Sequence, residues 1–383
     1  MTRVLITGGR GFLGRNLIAR LRERTDCEIM ISDREDSTDE LDRLLLQADI
    51  IFHLAGVNRP SDPVEFGKGN AELTEHVCQF LQRNKRSPKI VFSSSIQAGL
   101  ENPYGASKAK AETALRRFAL NTGASVRIYR LKNMFGKWSR PNYNSVVATF
   151  CHNIAYDLPI TVSDPACEVE LIYVDDVVAA FLNEIDGQVV GGEPGEKIPV
   201  CRILLGDLAG RIQAFHELRI TLTLPDFSDW FNRALYATFL SYVPQEARRH
   251  NLQIKSDGRG SLAEFIKQRS FGQIFVSRTK PGATRGNHYH NTKAEKFFVV
   301  EGDGLIRMRS AEGGPVQEYS VTGCDYSVID IPPGFTHSIT NVGTREMVTL
   351  FWASEMFDPN YPDTYYLPVD FEVQNKSVLL EKV

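Results

Sequence analysis

The sequence lacks several features that would assign it to common classes of protein. It has no apolar run near the roughly 20 residues that a membrane-spanning helix needs. Its six cysteines form no Cys-X-X-Cys pair and show no regular spacing, which argues against a disulfide framework and a zinc knuckle. A net charge of −3 gives no general attraction to nucleic acid or anionic lipid. We therefore expect a cytoplasmic protein with reduced thiols and with no nucleic-acid or membrane partner.

The chain is long enough for two domains, and its pattern changes along its length. At 383 residues it exceeds what one hydrophobic core usually organises. In the first part, apolar strands alternate with helical patterns, which predicts a doubly wound parallel sheet covered on both faces. After about Gly258, short β-rich segments separated by Gly and Pro predict a small β-barrel. We predict domains at residues 1–245 and 246–383, with a helical connection at residues 224–252.

A glycine-rich turn follows the first predicted strand, which covers residues 4–6. Glycines at positions 8, 11 and 14 precede a helix whose apolar residues have helical spacing. Glycine lets the backbone approach a pyrophosphate, whose charge a helix N-terminus favours. We favour a dinucleotide site over a simple tight turn, because strand, turn and helix occur in the required order. The predicted cofactor-binding residues of this turn are Gly8, Arg10, Gly11, Phe12, Leu13 and Gly14.

Residues near the end of the second predicted strand bear on the choice between NAD and NADP. Asp33 closes that strand and can bind a ribose hydroxyl, as in NAD sites. Arg10 and Arg34 are both placed to meet a 2′-phosphate, and two cations outweigh one carboxylate. We therefore predict NADPH as the cofactor. The alternative is that either arginine is merely exposed.

Tyr104 and Lys108 are four residues apart at the start of a predicted helix, so both project from one face. A lysine ammonium beside a phenol favours the phenolate, lowers the pKa of the tyrosine and makes it a usable proton donor near neutral pH. The hydroxyl run from Ser93 to Ser95 ends a predicted strand and can hydrogen-bond a substrate carbonyl. A Tyr/Lys pair alone is usually structural, but after the glycine turn it indicates a catalytic site.

With these motifs, about the first 240 residues resemble the extended short-chain dehydrogenase/reductases of the nucleotide-sugar branch. Further similarity is carried by His53-Leu54-Ala55, Asn70, Arg130 through Asn133 to Phe135-Gly136, and Tyr173 to Asp176. The resemblance implies a Rossmann-type domain in which Leu54, Ala55 and Lys108 also contact the cofactor. It places Asn133 near the diphosphate of the substrate.

The same resemblance implies that Ser95, Tyr104 and Lys108 are the catalytic residues. Only eight residues separate Ser95 from Tyr104, fewer than is usual in this branch. Ser94 therefore stays an alternative to Ser95.

Three histidines and one glutamate occur at intervals typical of a metal site on short strands. His288 and His290 share one face of a predicted strand, and Glu295 and His337 can converge from later strands. Three imidazoles and a carboxylate suit zinc, iron, manganese or nickel. A single strand histidine is usually a satisfied polar residue, but four groups at these intervals indicate a site. We predict that these four residues bind a divalent metal, with zinc as the first choice.

This pattern resembles the two motifs of the cupin family over about residues 255–370. The positions that accompany the four ligands are Gly282, Gly302, Pro332, Gly334 and Asn341. The second motif is imperfect, since Gly323 lies three residues farther from Pro332 than the family's glycine. The resemblance implies a C-terminal cupin β-barrel.

Segments 257–265 and 284–289 also resemble dTDP-4-keto-6-deoxysugar 3,5-epimerases. In that group, a histidine at the position of His288 is the base that removes a proton beside the ketone. His288 also holds the first metal-ligand position, and we favour ligation because the other three ligands are present. Arg259 and Arg285 would then contact the diphosphate or the sugar; the alternative is surface ion pairs.

The joint arrangement resembles the bifunctional enzymes of capsular and O-antigen polysaccharide synthesis that make precursors of N-acetyl-L-fucosamine. It implies C3 epimerisation of a UDP-linked 4-keto-6-deoxy-N-acetylhexosamine, then NADPH-dependent reduction at C4 to UDP-2-acetamido-2,6-dideoxy-L-talose. One alternative is a reductase whose cupin only binds sugar or dimerises. Another is a cupin that holds iron and oxidises its ligand with oxygen. Cupins of this type commonly pair, so a homodimer is expected.

Overall fold

The computed structural model describes residues 1–59, 62, 64–187, 194–195 and 197–370. The chain divides into two compact units. The first contains Met1–His216 and Asp229–Gln245, and the second contains Glu217–Ser228 and the chain from Glu246 onward. Residues 217–228 lie in the range predicted for the first domain but belong to the second unit, and residues 371–383 of the predicted second domain are outside the described residues. No helix in the described ranges is both long and apolar enough to cross a membrane.

A parallel sheet forms the centre of the first unit. Its strands are β1 (Thr2–Thr7), β2 (Cys27–Ser32), β3 (Ile50–His53), β4 (Lys89–Ser95) and β5 (Val126–Leu131). Their order is β2-β1-β3-β4-β5, and every pairing is parallel. Because the order reverses next to β1, the C-terminal ends of β1 and β3 border the crevice in which such sheets bind ligands.

Helices cover both faces of this sheet. The described helices are α1 (Phe12–Leu21), α2 (Thr38–Gln47), α3 (Val64–Phe66), α4 (Leu73–Arg83), α5 (Pro103–Thr122), α6 (Val146–Ala155), α7 (Val174–Ile185), α8 (Leu205–Thr221) and α9 (Trp230–Tyr242). Alternate residues of β1 enter two cores: Val4 and Ile6 pack with α1 and α7, whereas Leu5 packs with α2, α4 and α5. The predicted parallel sheet with helices on both faces is confirmed.

A smaller sheet extends the first unit beyond β5. It contains β6 (Asn133–Phe135), β7 (Glu168–Tyr173) and β8 (Cys201–Leu204), with β6 parallel and β8 antiparallel to β7. The predicted helical connection contains α9, whose Phe231 ring packs edge-on against Phe135 with centroids 5.5 Å apart. The Tyr242 hydroxyl of α9 donates to the Ser139 carbonyl at 2.5 Å. This helix is therefore part of the first unit.

The second unit is antiparallel β-structure. Its strands are β9 (Ile254–Asp257), β10 (Gly260–Gln268), β11 (Gly272–Thr279), β12 (Thr284–Tyr289), β13 (Glu295–Glu301), β14 (Asp303–Ser310), β15 (Gln317–Thr322), β16 (Val328–Ile331), β17 (Phe335–Asn341), β18 (Met347–Ala353) and β19 (Tyr365–Tyr366). One sheet has the order β16-β13-β18-β11-β10-β9, and the other has the order β15-β14-β17-β12-β19.

The two antiparallel sheets share one apolar core. Phe297 and Phe351 from the first sheet pack with Ile306 and Ile339 from the second. Alternation along each strand turns every second residue toward this core. The predicted β-rich second part of the chain is confirmed as two antiparallel sheets, while the closed cupin barrel stays a prediction.

Candidate functional site

The glycine turn between β1 and α1 packs too closely for side chains. Gly8 has a φ of +72°, and a Cβ there would lie 2.8 Å from the backbone of Ala55. A Cβ on Gly14 would lie 2.3 Å from the Gly8 carbonyl oxygen. Gly11 precedes α1 without a side-chain cap, and the first turn of α1 carries no acidic residue. The first amides of α1 are therefore available to a diphosphate, as a dinucleotide site requires.

Four other predicted cofactor residues pack beside this turn. Leu13 is buried in the core on the α1 face of the sheet, and Phe12 and Leu54 pack against that core. Ala55 follows β3, and its amide donates to the Thr7 hydroxyl at 3.3 Å. This hydrogen bond connects the C-terminal ends of β1 and β3 next to Gly8.

The end of β2 lies beside the turn and carries the charges considered for the cofactor. The backbone amide of Arg10 donates to the Asp33 carboxylate at 2.6 Å. The Arg10 guanidinium pairs with Glu35 at 2.9 Å, and both of these side chains are largely exposed. Such an exposed pair contributes about 0–1 kcal/mol, so a phosphate can replace it. Arg34 is also exposed, and both arginines remain accessible to a 2′-phosphate.

A cleft of about 740 Å³ opens beside Arg10 and Asp33. Arg15 of α1 and Arg22, the residue that follows α1, line it together with Trp138. Sequence reasoning did not single out these residues; the available signal was two arginines spaced seven residues apart, about two helical turns. The cleft adds positive charge beside the cofactor turn.

Asn70 organises the backbone between the turn and α5. It lies in the π-helical turn Gly67–Glu72, where its side chain accepts from the Val57 amide at 2.9 Å and donates to the Ser107 hydroxyl at 2.9 Å. A Cβ on Gly56 would lie 2.8 Å from the Asn70 Oδ1 and 3.1 Å from the Lys108 Nζ. The ammonium is therefore next to the loop that follows β3.

Lys108 is buried in the first unit. Its ammonium donates to the Ser93 carbonyl at 3.0 Å and lies 4.9 Å from the centre of the Phe92 ring. Burial lowers the pKa of Lys108 to about 8, although the charge of Glu112 raises it. Lys108 is therefore poised to change charge close to neutral pH.

Tyr104 behaves differently from the sequence-based expectation. Burial raises the pKa of Tyr104 above its ordinary value, and a hydrogen bond with Ser95 acts in the opposite direction. The expected lowering of this pKa was wrong, because burial of the phenol dominates. Tyr104 therefore keeps its proton at neutral pH and can serve as a donor.

The two candidate serines point to different partners. The Ser94 hydroxyl is buried and donates to the Glu112 carboxylate at 2.6 Å. Ser95 is the serine whose hydroxyl interacts with Tyr104. Successive strand residues face opposite sides of a sheet, so only one of the two can face the tyrosine. This geometry favours Ser95 over Ser94, and its catalytic role stays a prediction.

Glu112 is a charged residue of this region that sequence reasoning missed. Arg130 contacts it with two nitrogens, at 2.9 and 2.7 Å. Burial opposes ionisation, but the hydrogen bonds from Arg130 and Ser94 lower the pKa of Glu112 below its ordinary value. The available signal was its position four residues after Lys108, on the same helix face.

Asn133, the predicted diphosphate contact, is the first residue of β6 and is exposed. It lies two residues after Leu131, which is the register partner of Ser95 across β4 and β5. The structure thus brings Asn133 to the sheet edge at which Ser95 lies.

The four predicted metal ligands converge in the second unit. One ligand atom from each of His288, His290, Glu295 and His337 lies within 4.8 Å of the others. His288 is the register partner of His337 across β12 and β17, while Glu295 begins β13. All except His288 are buried. The sheets therefore place side chains from three strands and one loop around a single point.

The protonation of the cluster suits a cation. The Nδ1 of His290 contacts the Asp363 carbonyl at 2.5 Å, and the Nδ1 of His337 contacts the Phe335 carbonyl at 3.1 Å. Because a carbonyl can only accept, each Nδ1 carries a proton, and the Nε2 is the ring nitrogen that is turned toward the cluster. Both Nε2 atoms are buried without a hydrogen-bond partner and face the Glu295 carboxylate at 3.3 and 3.1 Å.

His288 completes this donor set. Burial, followed by the neighbouring His337, lowers the pKa of His288 to about 3, so the imidazole is neutral at neutral pH. Neutral imidazoles and a carboxylate are the ligands that zinc and related metals prefer. The residues present therefore fit a divalent metal.

The two predicted substrate arginines occupy different environments. Arg259 is exposed and pairs with Asp257 at the β9–β10 turn. Arg285 is partly buried and donates to the Thr279 hydroxyl at 3.1 Å, and burial lowers its pKa. A bulge at Gly286 brings Arg285 opposite Ile339 and His288 opposite His337, so Arg285 and His288 share a sheet face. Arg285 is thus on the same face as the metal ligands.

Two protein-family models match this chain, one in each of its two units. Residues 4–195 match the NAD dependent epimerase/dehydratase family, and residues 255–365 match the polysaccharide biosynthesis C-terminal domain. A UDP-2-acetamido-2,6-beta-L-arabino-hexul-4-ose reductase from Pseudomonas aeruginosa is 43% identical over 95% of this chain and 98% of its own length.

A solved structure is similar over almost the whole chain. The capsular polysaccharide assembling protein CapF from Staphylococcus aureus is 47% identical, with a TM-score of 0.88, over 96% of this chain and 100% of its own. UDP-glucuronic acid decarboxylase 5 from Arabidopsis thaliana is 25% identical over 51% of this chain and 70% of its own length. The chain therefore belongs to the NAD dependent epimerase/dehydratase family and also carries a polysaccharide biosynthesis C-terminal domain.

Proposed function

We propose that the protein epimerises C3 of a UDP-2-acetamido-2,6-dideoxy-4-ketohexose in its second unit. It then reduces the C4 ketone with NADPH in its first unit, giving UDP-2-acetamido-2,6-dideoxy-L-talose for polysaccharide biosynthesis. The observation that carries this proposal is that one chain holds both the Ser95, Tyr104 and Lys108 group and the convergent histidine cluster. The name of the P. aeruginosa relative, a reductase of a UDP-linked hexul-4-ose, supports the C4 step.

The first unit supplies the groups for ketone reduction. NADPH bound at the glycine turn, with its 2′-phosphate near Arg10 and Arg34, would supply the hydride. Tyr104 donates its proton to the C4 oxygen while Ser95 holds that oxygen by a hydrogen bond. The Lys108 ammonium, fixed on the Ser93 carbonyl, stabilises the phenolate that Tyr104 becomes.

The second unit supplies the groups for epimerisation, and we propose that it is a cupin. Its four ligands would hold zinc or a related divalent metal, which supplies Lewis acidity toward a carbonyl oxygen. Arg285, on the face of the ligands, binds the sugar or its diphosphate, and Arg259 assists from the neighbouring turn. Asn133 contacts the diphosphate when the same molecule is in the first unit.

The chemistry fixes the order of the two steps. A hydrogen at C3 is acidic only while the neighbouring C4 ketone can delocalise the carbanion as an enolate. Reduction at C4 removes that acidity and prevents reversal at C3. Epimerisation therefore precedes reduction, and the hydride step makes the overall conversion one-way.

Incubation of the UDP-linked 4-keto sugar in heavy water tests the proposal. Without NADPH, we expect deuterium to enter C3 while the ketone persists. Addition of NADPH should then consume the ketone and the reduced cofactor in equal amounts. A ketone that gains no deuterium and oxidises no NADPH would contradict the proposal.

One alternative is favoured by a specific observation. The name of the P. aeruginosa relative mentions only a reductase, so the second unit could act as a sugar-binding or dimerisation module. In that case NADPH would be oxidised by the 4-keto sugar, but the C3 hydrogen would never exchange. The heavy-water experiment separates these two functions directly.

A homodimer is part of the proposal. Phe298, Val328 and Leu350 are adjacent partners on the outer face of the six-stranded sheet, and Val328 and Leu350 are exposed. Contact with a second copy of the chain would bury this apolar row and remove it from water. Sedimentation that shows only monomer at micromolar concentration would reject the dimer.

A further inference from the structure

We propose that Asp363 is a positioning residue that holds the loop between His290 and Glu295 in the shape that lets the metal ligands converge. We call residues 291–294 the ligand loop. The inference rests on the metal centre of the proposed function, but Asp363 is not one of its ligands. It lies 73 residues after His290, in the segment between β18 and β19.

The Asp363 carboxylate accepts four hydrogen bonds from the ligand loop. One oxygen accepts from the Asn291 amide at 2.9 Å. The other accepts from the Thr292 amide at 3.0 Å, the Thr292 hydroxyl at 3.0 Å and the Lys293 amide at 3.1 Å. Hydrogen bonds to a charged acceptor are roughly twice as strong as neutral ones. One side chain therefore binds three consecutive amides that no sheet pairing satisfies.

Backbone contacts connect the same two segments. The Asp363 carbonyl accepts from the Nδ1 of His290, which leaves the Nε2 of that ring facing the cluster. In the other direction, the buried Lys293 ammonium donates to the Pro362 carbonyl at 3.0 Å. The orientation of one proposed ligand is thus set by the backbone of Asp363 itself.

The far end of the ligand loop is also fixed by the chain before Asp363. The Ala294 amide donates to the Ser354 hydroxyl at 3.0 Å, and the Ser354 amide donates to the Ala294 carbonyl at 2.9 Å. Asp363 has a φ of +40°, a conformation that a non-glycine residue keeps only when its surroundings enforce it. Both observations indicate a segment built to hold this loop.

The test compares Asp363→Asn with Asp358→Asn. Asparagine keeps the backbone carbonyl, but it replaces one carboxylate oxygen with an NH₂ that cannot accept from the loop. Asp358 is an exposed residue of the same segment whose carboxylate accepts from the Asn360 amide, so it serves as the matched control. Competition with a chromogenic chelator measures the affinity for Zn²⁺. We expect about 10–100-fold weaker binding for Asp363→Asn and wild-type binding for Asp358→Asn.

A second measurement tests, in the absence of metal, whether Asp363 holds the ligand loop. Hydrogen exchange of the Asn291, Thr292 and Lys293 amides in metal-free protein should be faster in Asp363→Asn than in wild type. Asp363→Glu, which keeps the charge, should restore part of the protection and covers the case in which the asparagine variant does not fold.

The outcomes separate this inference from the proposed function. Unchanged Zn²⁺ affinity together with unchanged exchange would overturn the role of Asp363. Wild-type protein that binds no Zn²⁺ would overturn the metal centre, and the exchange of the three amides would still decide whether Asp363 holds the loop.

Discussion

The two candidate sites differ in how completely their polar groups are paired within the chain. In the first unit, the Lys108 ammonium donates to the Ser93 carbonyl, and Glu112 accepts from Ser94 and Arg130. In the second unit, the Nε2 atoms of His290 and His337 are buried without a partner. A buried polar atom left unpaired costs about 1–3 kcal/mol. The polar groups named in the first site are paired within the chain, whereas two buried ring nitrogens of the second face the Glu295 carboxylate, an arrangement that a cation would stabilise.

This difference separates what each site needs in order to work. The reductase groups are held by the fold itself, so changes there should affect chemistry more than stability. The histidine cluster should gain both stability and activity from a metal, because the ion would bind the Nε2 atoms of His290 and His337. Substitutions at the two sites test this contrast.

Tyr104→Phe should reduce NADPH oxidation by about 10²–10⁴-fold, because it removes the proton donor and little else. Exchange of the C3 hydrogen with heavy water should continue at the wild-type rate. Tyr156→Phe, which changes an exposed tyrosine of the same unit, is the control and should leave both rates unchanged. Loss of both activities in Tyr104→Phe would contradict two separate sites.

His290→Ala combined with His337→Ala should abolish C3 exchange while a pre-epimerised ketone is still reduced. Zn²⁺ at about 100 times its dissociation constant should stabilise the wild-type protein by about 2.7 kcal/mol, and this gain should vanish in the double variant. Thermal unfolding with and without Zn²⁺ measures it, with the exposed His250→Ala as control. Retained exchange would assign the cluster to folding instead of catalysis.

Gly8→Ala should weaken NADPH binding by about tenfold or more, a change of about 1.4 kcal/mol. Gly123→Ala is a matched control, since its φ of +74° imposes similar backbone strain but a Cβ there would meet nothing within 4 Å. Only the Gly8 variant also pushes against the backbone of Ala55. Titration of both variants with NADPH measures the difference, and equal affinities would reject the close packing of the turn.

Glu112→Gln should shift the pH profile of reduction and lower the rate only a few-fold at neutral pH. Lys108 must be protonated to stabilise the phenolate, so activity should fall as pH rises through its pKa of about 8. The charge of Glu112 raises that pKa, and its removal should therefore move the fall to lower pH. Glu75→Gln, in a surface pair with Arg117, is the control. An unmoved profile would show that Glu112 does not influence Lys108.

Local patterns made part of both sites predictable from the sequence. The glycine turn is a short motif whose strand and helix lie on either side, and Tyr104 and Lys108 share one helix face. Two of the four ligands, His288 and His290, are two residues apart. In such cases sequence spacing translates directly into spatial proximity.

Long-range geometry made the rest unpredictable. Asp363 reaches His290 across 73 residues, and no local pattern connects them. Strict alternation would put Arg285 and His288 on opposite faces of β12, but the bulge at Gly286 puts them on the same face. The raised pKa of Tyr104 depends on burial, which the spacing of Tyr104 and Lys108 does not reveal.

The isotope pattern of the product tests most directly whether one ketone serves both sites. The reaction is run in heavy water with ordinary NADPH, and the sugar is analysed by proton NMR. We expect deuterium at C3 and ordinary hydrogen at C4 in every product molecule. Reduced product that retains its original hydrogen at C3 would show that reduction does not require epimerisation in the second unit.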